Sequence, residues 1–162
     1  LKRDYNIISQ LCSETLKTKI FFFKSDIFEK NKRKLLNFGH TFAHSIEMAT
    51  EELSRYEYYR HGEAVGLGLI CEIFFSNPKE SKLLNYVKNI LRSYNLPIEI
   101  NSKDFIHKKQ ILLNKIFQYI YLDKKKISQY PRYIHMKKIY QPKIRELQDS
   151  NLLSQTIDNL IK

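Results

Sequence analysis

Glycine is scarce in this 162-residue sequence, with four residues in all. None of them lies outside two short segments, Leu35-Leu36-Asn37-Phe38-Gly39-His40-Thr41-Phe42-Ala43-His44-Ser45-Ile46-Glu47 and His61-Gly62-Glu63-Ala64-Val65-Gly66-Leu67-Gly68. This distribution leaves no glycine-rich strand–turn–helix loop of the dinucleotide-binding type. Cysteine is equally sparse. Cys12 and Cys71 are the two, too few for a disulfide framework, and their apolar periodic surroundings suggest reduced, buried thiols and a cytoplasmic setting. No apolar run approaches the roughly 18 residues of a membrane span. There is no charged-then-apolar leader pattern. The chain starts at Leu1, not at methionine, which suggests a fragment or a processed product.

What is present begins with charge. Twenty-eight Lys and Arg against 17 Asp and Glu give a formal +11, a balance that invites a nucleic-acid reading. The basic residues are spread along the chain, however, and the densest cluster, Lys124-Lys125-Lys126, is three long. Solvated helix faces, or a pocket for a small anionic substrate, account for the same excess, so nucleic acid is not an expected partner. Apolar residues at 43% and aromatics at 13% support one packed domain of ordinary size.

The periodicity is mostly helical. Ile7, Ile8, Leu11, Leu16, Ile20 and Phe21 predict a helix over 4–24, followed by a polar connection from Asp26 to Lys34. A second helix is predicted over 37–52, with Phe38, Phe42, Ile46 and Ala49 as its buried stripe, and then a tyrosine-rich loop from Glu51 to Arg60. A third helix runs from His61 to Phe75. Asn77-Pro78-Lys79-Glu80 resembles a capping box with proline at the first helical position, opening a helix to about Tyr94 that stops before Pro97. Ser102 is placed to cap a fifth helix through Tyr121, with Asp104 in its first turn. Residues 132–140 lean towards strand, and a final helix is predicted over 143–160. The expectation is a single mainly α domain over 1–162, with a small β element near 132–140.

On a continuous helix, Arg33, Asn37, His40, His44 and Glu47 follow one another at steps of four, three, four and three, which keeps them on one face. Two histidines four apart can reach one zinc ion. The bland alternative is a capped or satisfied core pair. Gly39 inside an otherwise good helix costs about 1 kcal/mol against alanine, and a second glycine-flanked histidine, His61, could fold back beside the first pair. Glu63 is a candidate carboxylate partner for a histidine, or a helix N-terminal acid favoured by the macrodipole. His107 and His135 read as surface or satisfied residues.

These residues carry a resemblance. The run Arg33-x-x-x-Asn37-Phe38-Gly39-His40-Thr41-Phe42-x-His44-x-Ile46-Glu47, then His61-Gly62-Glu63-Ala64-Val65, resembles the C-terminal domain of the 3-dehydroquinate synthase family. Lys19, Asp26, Glu29 and the run Asp123-Lys124-Lys125 extend it over about residues 10–126. The resemblance implies a multi-helix C-terminal domain of a two-domain cytoplasmic enzyme, homodimeric at full length. An N-terminal α/β domain, expected to be missing from this chain, binds NAD⁺. Such enzymes are phosphate-eliminating carbon–oxygen lyases of the shikimate pathway and aromatic amino-acid biosynthesis. They convert 3-deoxy-D-arabino-heptulosonate 7-phosphate, a sugar phosphate, to 3-dehydroquinate and phosphate, with NAD⁺ for the redox steps and Zn²⁺ or Co²⁺ as Lewis acid.

Carried over by position, the resemblance makes His40 and His61 metal ligands, with a third ligand, a glutamate, in the other domain. It gives His44 and Lys19 catalytic roles and makes Arg33, Asn37 and a lysine of the pair Lys124 and Lys125 substrate contacts. His44 thereby becomes a substrate-facing residue and not a joint ligand with His40. After Asp123-Lys124-Lys125 the family usually has a glycine and a strand, where this chain has Ile127-Ser128-Gln129-Tyr130-Pro131. The isolated chain is expected to be inactive. The alternatives are another sugar-phosphate cyclase on the same scaffold, a basic helical binding module without catalysis, and a degenerate half-enzyme.

Overall fold

A computed structural model describes residues 4–79, 81–105, 109–122, 130–136 and 141–162. The elements are α1 (Tyr5–Ser25), a 3₁₀ turn (Lys32–Asn37), α2 (His40–Ser54), α3 (His61–Ser76), α4 (Ser81–Ser93), a second 3₁₀ turn (Ser102–Phe105), α5 (Lys109–Leu122), β1 (Arg132–His135), β2 (Lys143–Glu146) and α6 (Ser150–Leu160). The chain is thus mainly α. Among the described residues no helix is long and apolar enough to cross a membrane. Two compact units divide at Asn37/Phe38.

In the first unit, α1 starts where Asp4 accepts hydrogen bonds from the amides of Asn6 and Ile7, at 2.9 and 3.3 Å, satisfying two of the four orphan donors of a helix start. It contains no buried residue. Cys12 is exposed, which corrects the expectation of two buried thiols: apolar spacing shows that a helix has an apolar face, not what covers it. Cys71 is buried as expected. Beyond α1 the Asp26 carboxylate gathers the turn, accepting from the amides of Lys30 (2.9 Å), Asn31 (2.7 Å) and Arg33 (3.1 Å). Burial works to raise the pKa of Asp26, but these three amides and Lys34 bring it below the ordinary value.

The second unit is built around α3, apolar on nearly every side and flanked by α2, α4, α6 and β1, as a central helix must be. Phe42 and Ile46 of α2, Leu67 of α3, Leu112 and Ile116 of α5, and Leu153 and Ile157 of α6 are fully buried in one cluster. The chain end is tied down through Ile100, whose amide donates to the Leu160 carbonyl and whose carbonyl accepts from Lys162, both at 2.9 Å. Asp149 caps α6 by accepting from the Leu152 amide at 2.8 Å.

Several boundaries differ from expectation. The second helix starts at His40, not 37, because Gly39 lies in the left-handed region at φ 85°. It ends at Ser54, beyond the expected loop start, where Arg55 is left-handed at φ 66°. Asn77 closes α3, its amide donating to the Ile73 and Phe74 carbonyls, and α4 starts at Ser81, so Pro78 is not at a first helical position. Glu80 lies outside the described residues. Ser102 and Asp104 belong to a 3₁₀ turn and α5 starts at Lys109. Residues 143–146 are a strand, antiparallel to β1 with Arg132 opposite Glu146 and His135 opposite Lys143. The expected helix over 143–160 begins at Ser150.

Candidate metal and substrate site

Two glycines let α2 and α3 meet. Gly39 turns the backbone at a positive φ, and a Cβ there would stand 2.9 Å from the Leu69 amide nitrogen of α3. A Cβ at Gly68 would overlap the Gly39 carbonyl oxygen. The start of α2 therefore lies directly on the middle of α3. The helices run antiparallel from this crossing, which brings the second turn of α2 to the first residue of α3 and Glu47 to His61.

Three imidazoles converge there. The ring centroids of His40 and His61 are 5.3 Å apart, those of His40 and His44 5.7 Å, and those of His44 and His61 5.9 Å. Glu47 Oε1 lies 2.9 Å from His61 Nδ1. His44, Glu47 and His61 each offer a ligand atom within 4.8 Å of the others. His40 Nδ1 is 3.3 Å from the Phe38 carbonyl oxygen. Burial, helped by the neighbouring His44 and His61, holds the His40 pKa below the ordinary imidazole value against the Phe38 carbonyl and Glu47. A neutral ring keeps a lone pair for a metal. With a proton on each Nδ1, donated to Glu47 by His61 and to Phe38 O by His40, both rings present Nε2 as the free donor. Imidazole nitrogens beside a carboxylate are a donor set that zinc accepts.

The carboxylate that meets His61 is Glu47 and not Glu63. Glu63 Oε2 accepts from the Arg60 amide at 2.9 Å and so caps α3, the alternative role open to it from the sequence. Glu47 already stood on the same face as His40 and His44. The missing signal was tertiary, the return of α3 past the second turn of α2. His44 is exposed and His61 is exposed at the helix start, while His40 and Glu47 are half-buried.

Arg33 and Asn37 are not on the histidine helix, because the 3₁₀ turn ends at Asn37 and α2 starts after Gly39. With Lys19 they belong to the first unit. Within it Lys19 is exposed on α1. Arg33 donates from Nη1 to the Ile27 carbonyl at 2.8 Å and stacks 4.8 Å over the Phe23 ring. Asn37 donates to Glu29 Oε1 at 2.7 Å, and the same carboxylate lies 3.8 Å from Arg33 Nε. Lys124, Lys125 and His107 lie outside the described residues. His135 is half-buried, with Nδ1 3.0 Å from the Tyr133 hydroxyl.

The sequence model of the family described as 3-dehydroquinate synthase C-terminal matches residues 1–126. The chain belongs to that family. It is 30% identical over 153 residues to the 3-dehydroquinate synthase of Chlorobium chlorochromatii, 88% of this chain and 40% of that protein. It is 31% identical over 156 residues to that of Legionella pneumophila, 94% of this chain and 39% of the relative. With the Leptospira interrogans 3-dehydroquinate synthase it shares 35% over 118 residues, covering 71% and 32%. The chain thus spans about 40% of the length of the 3-dehydroquinate synthases that it matches over most of its own length. The paired histidine segments, His40 to Glu47 and His61 to Gly68, both fall inside the matched region.

Proposed function

We propose that this chain is the metal- and substrate-binding part of a 3-dehydroquinate synthase, acting on 3-deoxy-D-arabino-heptulosonate 7-phosphate with NAD⁺ and a divalent ion. The observation that carries the proposal is the convergence of His40, His44, His61 and Glu47 between α2 and α3 in a chain of this family.

The residues fit a divalent ion. His40 and His61 would hold it through Nε2, and Glu47 orients the His61 ring. A bound ion of this kind polarises a substrate hydroxyl and eases loss of its proton. His44, exposed beside both rings, is placed to take or return a proton on the substrate. The family resemblance assigns Lys19, Arg33, Asn37 and a lysine of the pair Lys124 and Lys125 to the substrate, whose carboxylate and phosphate are groups that cations and amide donors suit. This also gives the positive charge of the chain a use without nucleic acid. The residues do not fit NAD⁺. Gly39 and Gly68 are taken up in the α2–α3 crossing and Gly62 and Gly66 lie within α3, so the dinucleotide is assigned to the remainder of the enzyme.

The test is enzymatic and chemical together. In the full-length enzyme, His40→Ala and His61→Ala are expected to abolish both bound zinc and 3-dehydroquinate formation. His44→Ala is expected to retain zinc and lose turnover. Zinc content and dehydroquinate release read the two separately, and full activity of His40→Ala would sink the assignment. Turnover of a different heptulose phosphate in preference would move the protein to another cyclase on the same scaffold.

A further inference from the structure

Glu72 takes no part in the chemistry above, yet its place in α3 is unusual for an acid. Its side chain is fully buried, at 0% exposure, and buried carboxyl groups are tolerated where neighbouring donors hold them. Oε2 accepts from the Ile134 amide of β1 at 3.1 Å. Oε1 has no hydrogen-bond partner among the described residues. Burial pushes its pKa up, and the backbone amides of Gly39, Ile134 and Thr41 work against that rise. Gly39 and Thr41 flank His40.

Two further bonds surround this point. Thr41 Oγ1 donates to the Arg132 carbonyl at 2.7 Å, tying α2 to β1. Ser76 Oγ, one turn beyond Glu72, accepts from the Met136 amide at 2.9 Å, tying α3 to the end of β1. Glu72 stands beside these ties, with its carboxylate bonded to β1. A leucine would fill similar space but would leave the Ile134 amide of β1 without an acceptor.

We propose that Glu72 is a positioning residue for the histidine cluster: its buried carboxyl group holds β1 against α3, and β1, through the Thr41–Arg132 bond, holds the first turn of α2 and with it the His40 ring in register. The geometric part holds whatever the cluster binds. The consequence for metal binding rests on the function proposed above.

The experiment uses the full chain with ¹³C,¹⁵N-labelled histidine, in Glu72→Leu, Glu72→Gln, Glu72→Asp and, as a control, Leu153→Ala. Leu153 is fully buried on α6, so its truncation loosens the core without touching the α2–β1 junction. The readouts are the His40 ring resonances without metal and Co²⁺ affinity from the visible absorption of the bound ion. Glu72→Leu is expected to shift the His40 resonances and weaken Co²⁺ binding about ten- to a hundredfold, with helix content retained. Glu72→Gln keeps an acceptor for Ile134 and is expected to restore most of both. Leu153→Ala is expected to lower the melting temperature and move neither.

A parent-like His40 and parent-like Co²⁺ affinity in folded Glu72→Leu would overturn the proposal, as would equal losses in Leu153→Ala. If the leucine variant does not fold, Glu72→Asp decides: a smaller shift of His40 in that variant supports the role, and an unmoved ring refutes it. If the parent chain, which supplies only two of the expected ligands, binds Co²⁺ too weakly to measure, the metal-free His40 resonances decide the role of Glu72.

Discussion

Gly62 and Gly68 stand six residues apart on α3, and alanine should act on them in opposite directions. A Cβ at Gly62 meets nothing within 4 Å, whereas one at Gly68 would run into the Gly39 carbonyl and approach the Ala43 amide nitrogen to 2.9 Å. Backbone on the far side cannot rotate away as a side chain can. Gly68→Ala is therefore expected to destabilise the fold by about 1–3 kcal/mol or more, the cost of overpacking. Gly62→Ala is expected to stabilise it by up to about 1 kcal/mol through helix propensity. Urea midpoints at unchanged slope check both. Glu47 supports a second prediction at this scale. Without its carboxylate the His61 ring loses the acceptor that fixes which nitrogen carries the proton. Glu47→Ala is expected to lower zinc affinity about ten- to a hundredfold with little change in helix content. Unaltered affinity in a competition titration would mean that the 2.9 Å contact does not orient the ring.

At the scale of elements, what was legible was local. The spacing of apolar residues marks α1 and α3 nearly to the residue, and the glycine–histidine segments mark the cluster. The start of α2 was missed by treating Gly39 as a tolerated helix residue, when its φ of 85° makes it the break. That error carried Arg33 and Asn37 onto the histidine helix. Lys143-Ile144-Arg145-Glu146 reads as helix because each residue favours one, apart from a mild β preference at Ile144. Its strand state comes from pairing with β1, which no window of sequence contains. Glu72 carries no sequence signal for a similar reason, since its hydrogen-bond partner, the Ile134 amide, comes from β1. It supports a prediction with a definite sign. Burial raises its carboxyl from 4.5 to about 8, against the amides of Gly39, Ile134 and Thr41. The folded state therefore keeps a proton that the unfolded chain gives up between those values. Its contribution to stability is fully present below about pH 4.5 and is lost as pH rises towards 8. Cys71 beside it and Tyr133 of β1 are both pushed up by burial and by the Glu72 charge, so neither enters this window. Glu72→Gln does not titrate. Its melting temperature relative to the parent should rise steadily from pH 5 to pH 8, and a constant offset would contradict the buried acid described here.

At the scale of the whole molecule, the arrangement of donors argues that this chain works as a part. On the proposed reading it supplies two metal-binding nitrogens, with Glu47 occupied in holding one of the rings, and a catalytic zinc site has three protein ligands and one open position. It also lacks a dinucleotide cradle, while its relatives are about two and a half times its length, since it spans 40% and 39% of two of them. The 162-residue chain alone is therefore expected to release no 3-dehydroquinate from the heptulosonate phosphate, even with NAD⁺ and zinc supplied. Its zinc affinity is expected to be weak. Adding the N-terminal portion of a related synthase as a separate polypeptide should raise zinc affinity if the third ligand comes from there, and turnover should appear only when both pieces, NAD⁺ and metal are present. Substituting His40 in the added mixture should remove the gain in affinity, which distinguishes completion of this site from metal held by the added piece alone. Dehydroquinate formation by the isolated chain would mean that its own residues complete the site, and the division of labour argued from the donor count would have to be abandoned.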